Sequence, residues 1–401
     1  MTRPGLRIAA IEPTIVSIPY RHRESSAQVA RDGVTDIVLK LTTDDGLVGW
    51  GESCSGADVR SILEAVRALE PMVLGRDPWN RSAIWADAHH RGLWNFREGT
   101  FAFAYAGIDM ALWDICGKSV GHPVYDLLGG LRRRMVDYFC YLPGSGDENE
   151  LEAACRDGVQ RGYGVFYLKV GMDIDIDEAR VALVRETIGP DRRIRVDANQ
   201  AWTVAEATRN VARLDRHGLD FVEQPVAADP VDSMIELRRR SSVPLAANEG
   251  LWRVADAWEV ISRRAADVLV FSPYWVGSIE HMARLGSAAA LQGQAVCKHT
   301  HGELGIAAAA GQQVMLTLPR IVDGNQQTAS VLIDDVLDER LPIADGPAWD
   351  VDLDARPGLG VEIDADKLER WAEHYREVGQ YRPWQPELLA SEDPGWQLRD
   401  H

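Results

Sequence analysis

The chain has 401 residues, 46% of them hydrophobic and 26% charged, and 43 Lys+Arg against 61 Asp+Glu give a net charge of −18. That length and apolar content support a large buried core and exclude collagen-like, low-complexity and disordered architectures. The acidic balance argues against nucleic-acid and anionic-membrane partners, which need a basic face, and the short runs Arg132–Arg134 and Arg238–Arg240 do not supply one.

The N-terminal MTRPGLRIAA lacks the apolar centre of a signal peptide, and no run of about 18 apolar residues occurs to span a membrane. Ile8–Pro19 alternates loosely, and Asp36–Thr42 is β-rich; a turn at Asp44-Asp45-Gly46 then leads into Leu47–Gly51, which predicts a hairpin. Helices are predicted over Ser61–Leu69, Ala83–His90 and Ala102–Gly117, the last rich in small residues suited to close packing. From about residue 136 the pattern changes to short β-branched runs alternating with amphipathic helices. The strand runs are Val136–Tyr141, Val165–Val170, Ile194–Asp197, Phe221–Glu223, Pro244–Ala247, Val268–Phe271 and Ala295–Cys297, with Arg320–Asp323 as an eighth. Helices between them include Ile176–Ile188, Val204–Arg216, Met234–Arg240 and Ile279–Leu291. This alternation predicts βαβ units, and their number fits a (β/α)8-type barrel, with an open doubly wound sheet as the alternative. A turn-rich tail from residue 346 is expected to return to the first domain. The five scattered cysteines form no CxxC pair and fit a reducing cytoplasm, where the chain is expected to reside.

Ionisable residues close successive strand runs: Lys169, Asp197, Glu223, Glu249 and His299, at steps of 28, 26, 26 and 50 residues, the last being two units. In a barrel, the C-terminal strand ends converge on one mouth, so Asp197, Glu223 and Glu249 would form a cluster. Such a cluster needs protons or a cation, and oxygen-only ligands favour Mg²⁺ or Mn²⁺ over zinc; separate Lys or Arg partners at the rim are the bland alternative. Lys169 shares a face with Tyr167 and, beside a dication, would become a neutral general base, or else serve only as counter-ion. His299 closes the other side as a second acid/base group, within the polar stretch Lys298–Glu303 that also holds His301. A zinc site on His299 and His301 lacks a third ligand at standard spacing.

These residues resemble the enolase superfamily, in its mandelate racemase/muconate lactonizing enzyme subgroup, over nearly the whole chain. Thr42–Glu52 (TTDDGLVGWGE) resembles the hairpin after the capping loop, and Ala104–Gly130 the signature helix and turn. Val196–Trp202 (VDANQAW), Val222–Pro225 (VEQP) and Asn248–Trp252 (NEGLW) match the three metal-ligand strand ends. The resemblance implies an α/β fold: a modified (β/α)7β TIM-type barrel with an α+β capping domain formed by both termini. The expected division is residues 1–134 for the capping domain, 135–345 for the barrel, and 346–401 returning to the cap. It further implies an essential Mg²⁺ on Asp197, Glu223 and Glu249, and abstraction by Lys169 of the proton α to a carboxylate through a metal-stabilised enediolate. His299 falls on the strand-seven histidine; Tyr167, Asn199, Ser272, His301 and Arg23 are candidate substrate-binding residues. The partner is a small-molecule carboxylate, and the protein is expected to form dimers or octamers.

Two departures stand out. Tyr167 replaces the first lysine of the Lys-x-Lys motif. Ser272 stands where relatives place an Asp that orients the histidine or a second base lysine, so that Glu303 or Asp323 would have to orient His299. Specificity is expected from Tyr20–Gly33, which carries Arg21, His22, Arg23 and Arg31, and from Cys54–Arg60, Trp94 and Phe96. Tyr141, Tyr274 and Trp275 would instead give a flatter, less polar pocket. Dehydration of a hydroxy or sugar acid is the favoured reaction. A racemase, epimerase or cycloisomerase of a carboxylic acid and a catalytically inactive metal-binding barrel are the alternatives.

Overall fold

In a computed structural model of the chain, the described residues are 6–26, 30–54, 58–92, 98–144, 147–351 and 356–382. The first unit is an antiparallel sheet of β1 (Ile8–Ser25), β2 (Ala30–Thr43) and β3 (Val48–Cys54), covered by α1 (Val59–Val73), α2 (Arg81–Gly92) and α3 (Glu98–Val120). The hairpin lies where Asp44-Asp45-Gly46 placed it, with Gly46 at φ 90°. Residues 101–117 of α3 are buried all round, because the small residues let β3 lie directly on the helix. A methyl group on Gly51 would collide with the carbonyl oxygen of Gly107.

After α4 (Val124–Leu127), the predicted run Val136–Tyr141 divides. β4 (Met135–Asp137) pairs antiparallel with β12 (Ala348–Asp350), and only β5 (Cys140–Tyr141) joins the barrel sheet. The sheet continues in parallel order through β6 (Val165–Lys169), β7 (Arg193–Asp197), β8 (Leu219–Glu223), β9 (Leu245–Ala247), β10 (Val268–Phe271) and β11 (Ala295–Lys298). Helices α5 (Glu148–Gln160), α6 (Ile174–Ile188), α7 (Val204–Leu214), α8 (Asp232–Arg240), α9 (Val254–Ser262), α10 (Ile279–Leu291) and α11 (Gly305–Met315) alternate with these strands. The fold is thus a TIM-type barrel with a capping domain.

The expected eighth strand is a single parallel bridge, Val296 to Ile321. Backbone bonds remain, from Val296 N to the Arg320 carbonyl at 3.1 Å and from Val322 N to the Val296 carbonyl at 2.9 Å, and a side chain adds to them: Asn325 Oδ1 accepts from Lys298 N at 2.8 Å, and Asn325 Nδ2 donates to the Asp137 carbonyl at 3.0 Å. One asparagine therefore ties the last strand to the first segment of the ring.

Carboxylates of the cap grip barrel helices. Glu52 on β3 accepts from Leu304 N at 2.8 Å and Ala307 N at 2.9 Å at the start of α11, and Asp109 on α3 accepts from Ile279 N at 2.8 Å at the start of α10. Helix N-termini carry unpaired N–H groups and partial positive charge, so buried carboxylates satisfy both needs there. Burial nevertheless pushes the Asp109 carboxyl up to about 7, against the pull of the Ile279 N–H. Past β12, α12 (Ala365–Val378) packs on β1, and the Gly379 carbonyl accepts from Ser17 Oγ at 2.8 Å. All five cysteines are free and buried, and no helix among the described residues is long and apolar enough to cross a membrane.

Candidate active site

Strands β6 to β9 end in register, with Lys169 paired to Asp197 and Asp197 to Glu223 across the ladders, which brings their side chains to one mouth. Glu249 lies just beyond β9 in a short 3₁₀ turn. The turns carry backbone strain: Asn199, Gln200 and Gln224 sit at φ 42°, 67° and 32°. Non-glycine residues hold such conformations only where neighbours fix them, commonly at functional sites. Gln224 is fixed by its own amide, which donates to the Val226 carbonyl at 2.9 Å and accepts from Asn248 N at 2.8 Å.

A cavity of about 470 Å³ opens over these strand ends. Lys169, Asp197, Glu223, Glu249, Tyr167, Asn199, His299 and His301, all expected at the site, line it. Asp197 Oδ2 accepts from both Tyr167 Oη and Lys169 Nζ at 2.6 Å, and its Oδ1 accepts from Asn199 N at 2.8 Å. Asn199 Oδ1 accepts from Lys169 at 3.0 Å while its Nδ2 donates to Glu249 Oε1 at 3.0 Å. Glu223 takes both hydrogen bonds of the Gln326 amide, at 3.0 and 2.8 Å. Tyr167 thus donates to Asp197, one of the three carboxylates at the mouth.

The electrostatics are those of crowded acids. Burial pushes Glu249 up to about 7, with the Asp197 charge adding to it, and burial followed by Asp197 holds Glu223 well above the usual carboxylate range. Burial opposes the charge on Lys169, but Asp197, Glu24 and Glu223 outweigh it and hold the ammonium above its ordinary value. Burial, then His301 and Lys169, pushes His299 well below its ordinary value, so the imidazole is neutral at pH 7.

The donor set fits a hard dication. It is all oxygen, and Glu249 Oε2 is buried with no hydrogen-bond partner, an orphaned lone pair aimed where a cation would satisfy it. The ligand atoms of the three carboxylates do not all lie within 4.8 Å of one another. Among the described residues the one acidic, Cys or His group with all donor atoms within 4.8 Å is Asp36, Glu52 and Cys54, where both Glu52 oxygens already accept backbone N–H groups from α11. That group is a helix cap.

Some expected residues lie elsewhere. Arg23 is paired with Asp32 at 2.7 Å and lines a neighbouring cavity of about 680 Å³, not the carboxylate mouth. The capping hairpin points it outward along β1. Ser272 is fully buried behind the cavity wall, its Oγ without a hydrogen bond of good geometry. Neither proposed orienter reaches His299, whose Nδ1 is buried without a partner. Glu303 pairs with Lys298, and Asp323 pairs with Arg193 at 2.7 Å at the opposite end of the strands. Trp94 and Phe96 lie outside the described residues, as do 27–29 and 55–57 of the capping loops.

Other groups complete the site: Gln326, Glu24, Phe103 and Trp252 had not been expected there, whereas Arg31 and Tyr141 had been expected near the pocket. Gln326 holds Glu223; it stands 28 residues beyond Lys298, one more βα step, a spacing that the sequence displays. Arg31 Nε donates to Glu24 Oε2 at 2.5 Å and Nη1 to the His301 carbonyl at 2.9 Å, and Tyr141 Oη donates to the other Glu24 oxygen at 3.1 Å. This buried trio partitions the two cavities. Phe103 and Trp252, interior by composition alone, join Trp275 in an aromatic wall.

Residues 11–129 match the mandelate racemase/muconate lactonizing enzyme N-terminal domain, and residues 150–367 the enolase C-terminal domain-like family. The chain is 30% identical to the D-galactarolactone cycloisomerase of Agrobacterium fabrum over 90% of its length and 98% of that protein's. It is 30% identical to the N-succinyl-L-Arg/Lys racemase of Bacillus cereus, with 91% and 97% covered. Dehydratases also occur among its relatives. A crystal structure of an enolase from Thermobispora bispora, complexed with magnesium and formate, superposes with a TM-score of 0.86 at 25% identity, covering 97% of this chain and 98% of that one.

Proposed function

Since the chain belongs to the enolase superfamily, in its mandelate racemase/muconate lactonizing enzyme branch, and is an isomerase or lyase of that kind, we propose that it isomerises a small carboxylic acid by moving the proton α to the carboxylate from one face to the other. One observation carries this reading: Lys169 at the end of β6 and His299 just past β11 face a single cavity with four strands and the carboxylates between them. The protonation state of His299 supports it too. A neutral His299 accepts the α-proton from one face, and an ammonium on Lys169 returns a proton to the other; the reverse direction exchanges the roles. Asp197, Glu223 and Glu249 would hold Mg²⁺, which supplies positive charge for the negative charge that develops on the substrate carboxylate. Asn199 keeps Lys169 and Glu249 in register, and Arg31 with Glu24 and Tyr141 forms the polar end of the pocket. In this reading the functional units are the cap of residues 1–134, the barrel of 135–345, and the returning segment from 346.

A second reading, loss of a β-hydroxyl from a hydroxy or sugar acid, is favoured by the side chains Ser26, Ser61, Thr100 and Thr300 around the cavity. Dehydration requires a proton donor for the leaving hydroxyl, and a neutral, unpartnered imidazole serves that role poorly. Incubation of pooled carboxylic acids with Mg²⁺ in D₂O, followed by proton NMR, decides between them. The expected result is an α-deuterated substrate with its stereoisomer; in Lys169→Ala the stereoisomer should disappear and exchange should persist only for the enantiomer whose proton faces His299. A 2-keto acid product would transfer the assignment to the lyase. Stereoisomer formation, or exchange of both enantiomers, in Lys169→Ala would overturn the role of Lys169.

A further inference from the structure

His299 presents a specific chemical problem. To act as a base through the nitrogen that meets the cavity, the neutral ring must carry its proton on the other nitrogen, and the buried Nδ1 has no hydrogen-bond acceptor. The strand that precedes it, β10, ends in Ser272 instead of a carboxylate. What lies against the ring is an indole: the Trp275 and His299 centroids are 4.4 Å apart with planes tilted by 51°.

Trp275 is itself fixed. It is 2% exposed, its Nε1 donates to the Asn248 carbonyl at 3.1 Å, its backbone N donates to the Ser272 carbonyl at 3.1 Å, and Trp252 stacks on it at 3.9 Å. With Nε1 spent on Asn248, the indole offers His299 only its π surface. That surface is the negative side of the ring quadrupole, and N–H groups pack against it as weak hydrogen-bond donors.

We propose that Trp275 is the positioning residue of His299: its indole face stands where an orienting carboxylate would, keeping the proton on Nδ1 and the Nε2 lone pair towards the substrate. The inference rests on the reading of His299 as the second proton-transfer group. It makes the site differ in kind from one with an acid–histidine pair, because a π face orients the ring without adding a charge. The neutral ring and the absence of a carboxylate are then parts of one arrangement.

Two measurements test it. The first is ¹⁵N NMR of the full chain with Mg²⁺ and labelled histidine, the His299 signal being identified by its loss in His299→Gln. The wild type should show the Nδ1–H neutral tautomer, Trp275→Phe should retain it, and Trp275→Ala or Trp275→Leu should give the Nε2–H form or a mixture. An Nε2–H ring in the wild type, or an unchanged tautomer in both the Ala and Leu variants, would overturn the proposal. The Leu variant keeps apolar volume and so carries the test if the Ala variant does not fold.

The second measurement uses a chiral substrate found by deuterium exchange. Trp275→Leu should slow α-proton wash-out by about 10–100-fold for the enantiomer whose proton faces His299, within the span that general acid–base catalysis supplies. Wash-out of the enantiomer facing Lys169 should fall by less, so that the ratio of the two rates shifts by about tenfold or more, whatever change in KM the altered cavity wall brings to both. Equal loss for both enantiomers would reduce Trp275 to packing and overturn the proposal. Absence of wild-type exchange would instead count against the functional reading, and the NMR measurement would still decide the role of Trp275.

Discussion

Asn199 shows how much one residue does at this site. It holds a left-handed backbone, which asparagine tolerates better than most residues, and spans Asp197, Lys169 and Glu249 with three hydrogen bonds. Asn199→Ala should therefore weaken Mg²⁺ binding by about 10–100-fold, the usual cost of losing a group that orients metal ligands. Titration calorimetry of Mg²⁺ into the purified variant checks this. Gln326→Ala should cost a similar factor, since Glu223 would lose both its hydrogen bonds; unchanged affinity in both variants would mean that the carboxylates orient themselves. At this scale the sequence was most informative for charged residues at strand ends. Lys169, Asp197, Glu223, Glu249 and His299 were legible because an ionisable side chain ending an apolar run breaks a pattern. Gln326 kept the same period but carries no charge, and Phe103 or Trp252 differ in no visible way from core aromatics, so their part in the cavity appears only in three dimensions.

Among the elements, α3 and its contacts make the strongest test of packing. Gly51 and Gly107 touch backbone to backbone, so Gly51→Ala should destabilise the protein by about 1–3 kcal/mol, the range for overpacking a tight core, read from the urea midpoint. Asp109 makes a different prediction. Its folded-state value near 7 lies above the ordinary 3.8. The folded chain therefore keeps a proton that the unfolded chain has released, and this contribution to stability is present below pH 3.8 and lost as pH rises towards 7. Wild-type Tm should decline more steeply between pH 5 and 7.5 than that of Asp109→Asn, as scanning calorimetry would show; parallel curves would exclude Asp109 as the source. The strands β6 to β11 and helices such as α1, α3, α6, α7 and α10 were legible from period and β-branching, whereas α12 lies in a tail that reads as turn-rich. The run Val136–Tyr141 was not, because its two halves are apolar alike and only the arrival of β12 from far along the chain separates them. The eighth strand is reduced to a bridge with a few backbone bonds, and an asparagine side chain, which no β pattern displays, adds the further tie.

For the whole molecule, the buried acids would couple folding to a bound metal. Glu249, at about 7, and Glu223, also raised, hold protons in the metal-free fold that the unfolded chain has lost above pH 4.5. Metal-free stability from this pair accordingly falls as pH rises from about 4.5 through 7 and beyond. Mg²⁺ competes with those protons, so the Tm gain on replacing EDTA by Mg²⁺ should be larger at pH 8 than at pH 5, and should nearly vanish in Glu223→Gln. Differential scanning fluorimetry across that range measures it, and a gain independent of pH would place the cation elsewhere.

The grip of Glu52 and Asp109 on α11 and α10 limits how such a protein can be recombined. Lid and barrel are not interchangeable modules: a foreign lid lacking acids at these two positions would leave the starts of two barrel helices bare in the interior. Residues at the rim of the cavity, such as Ser26 and Ser61, carry no such obligation. New specificities in chains of this design should therefore arise by rewriting loops on an inherited lid, and chimaeras should fold only when both carboxylates travel with the graft.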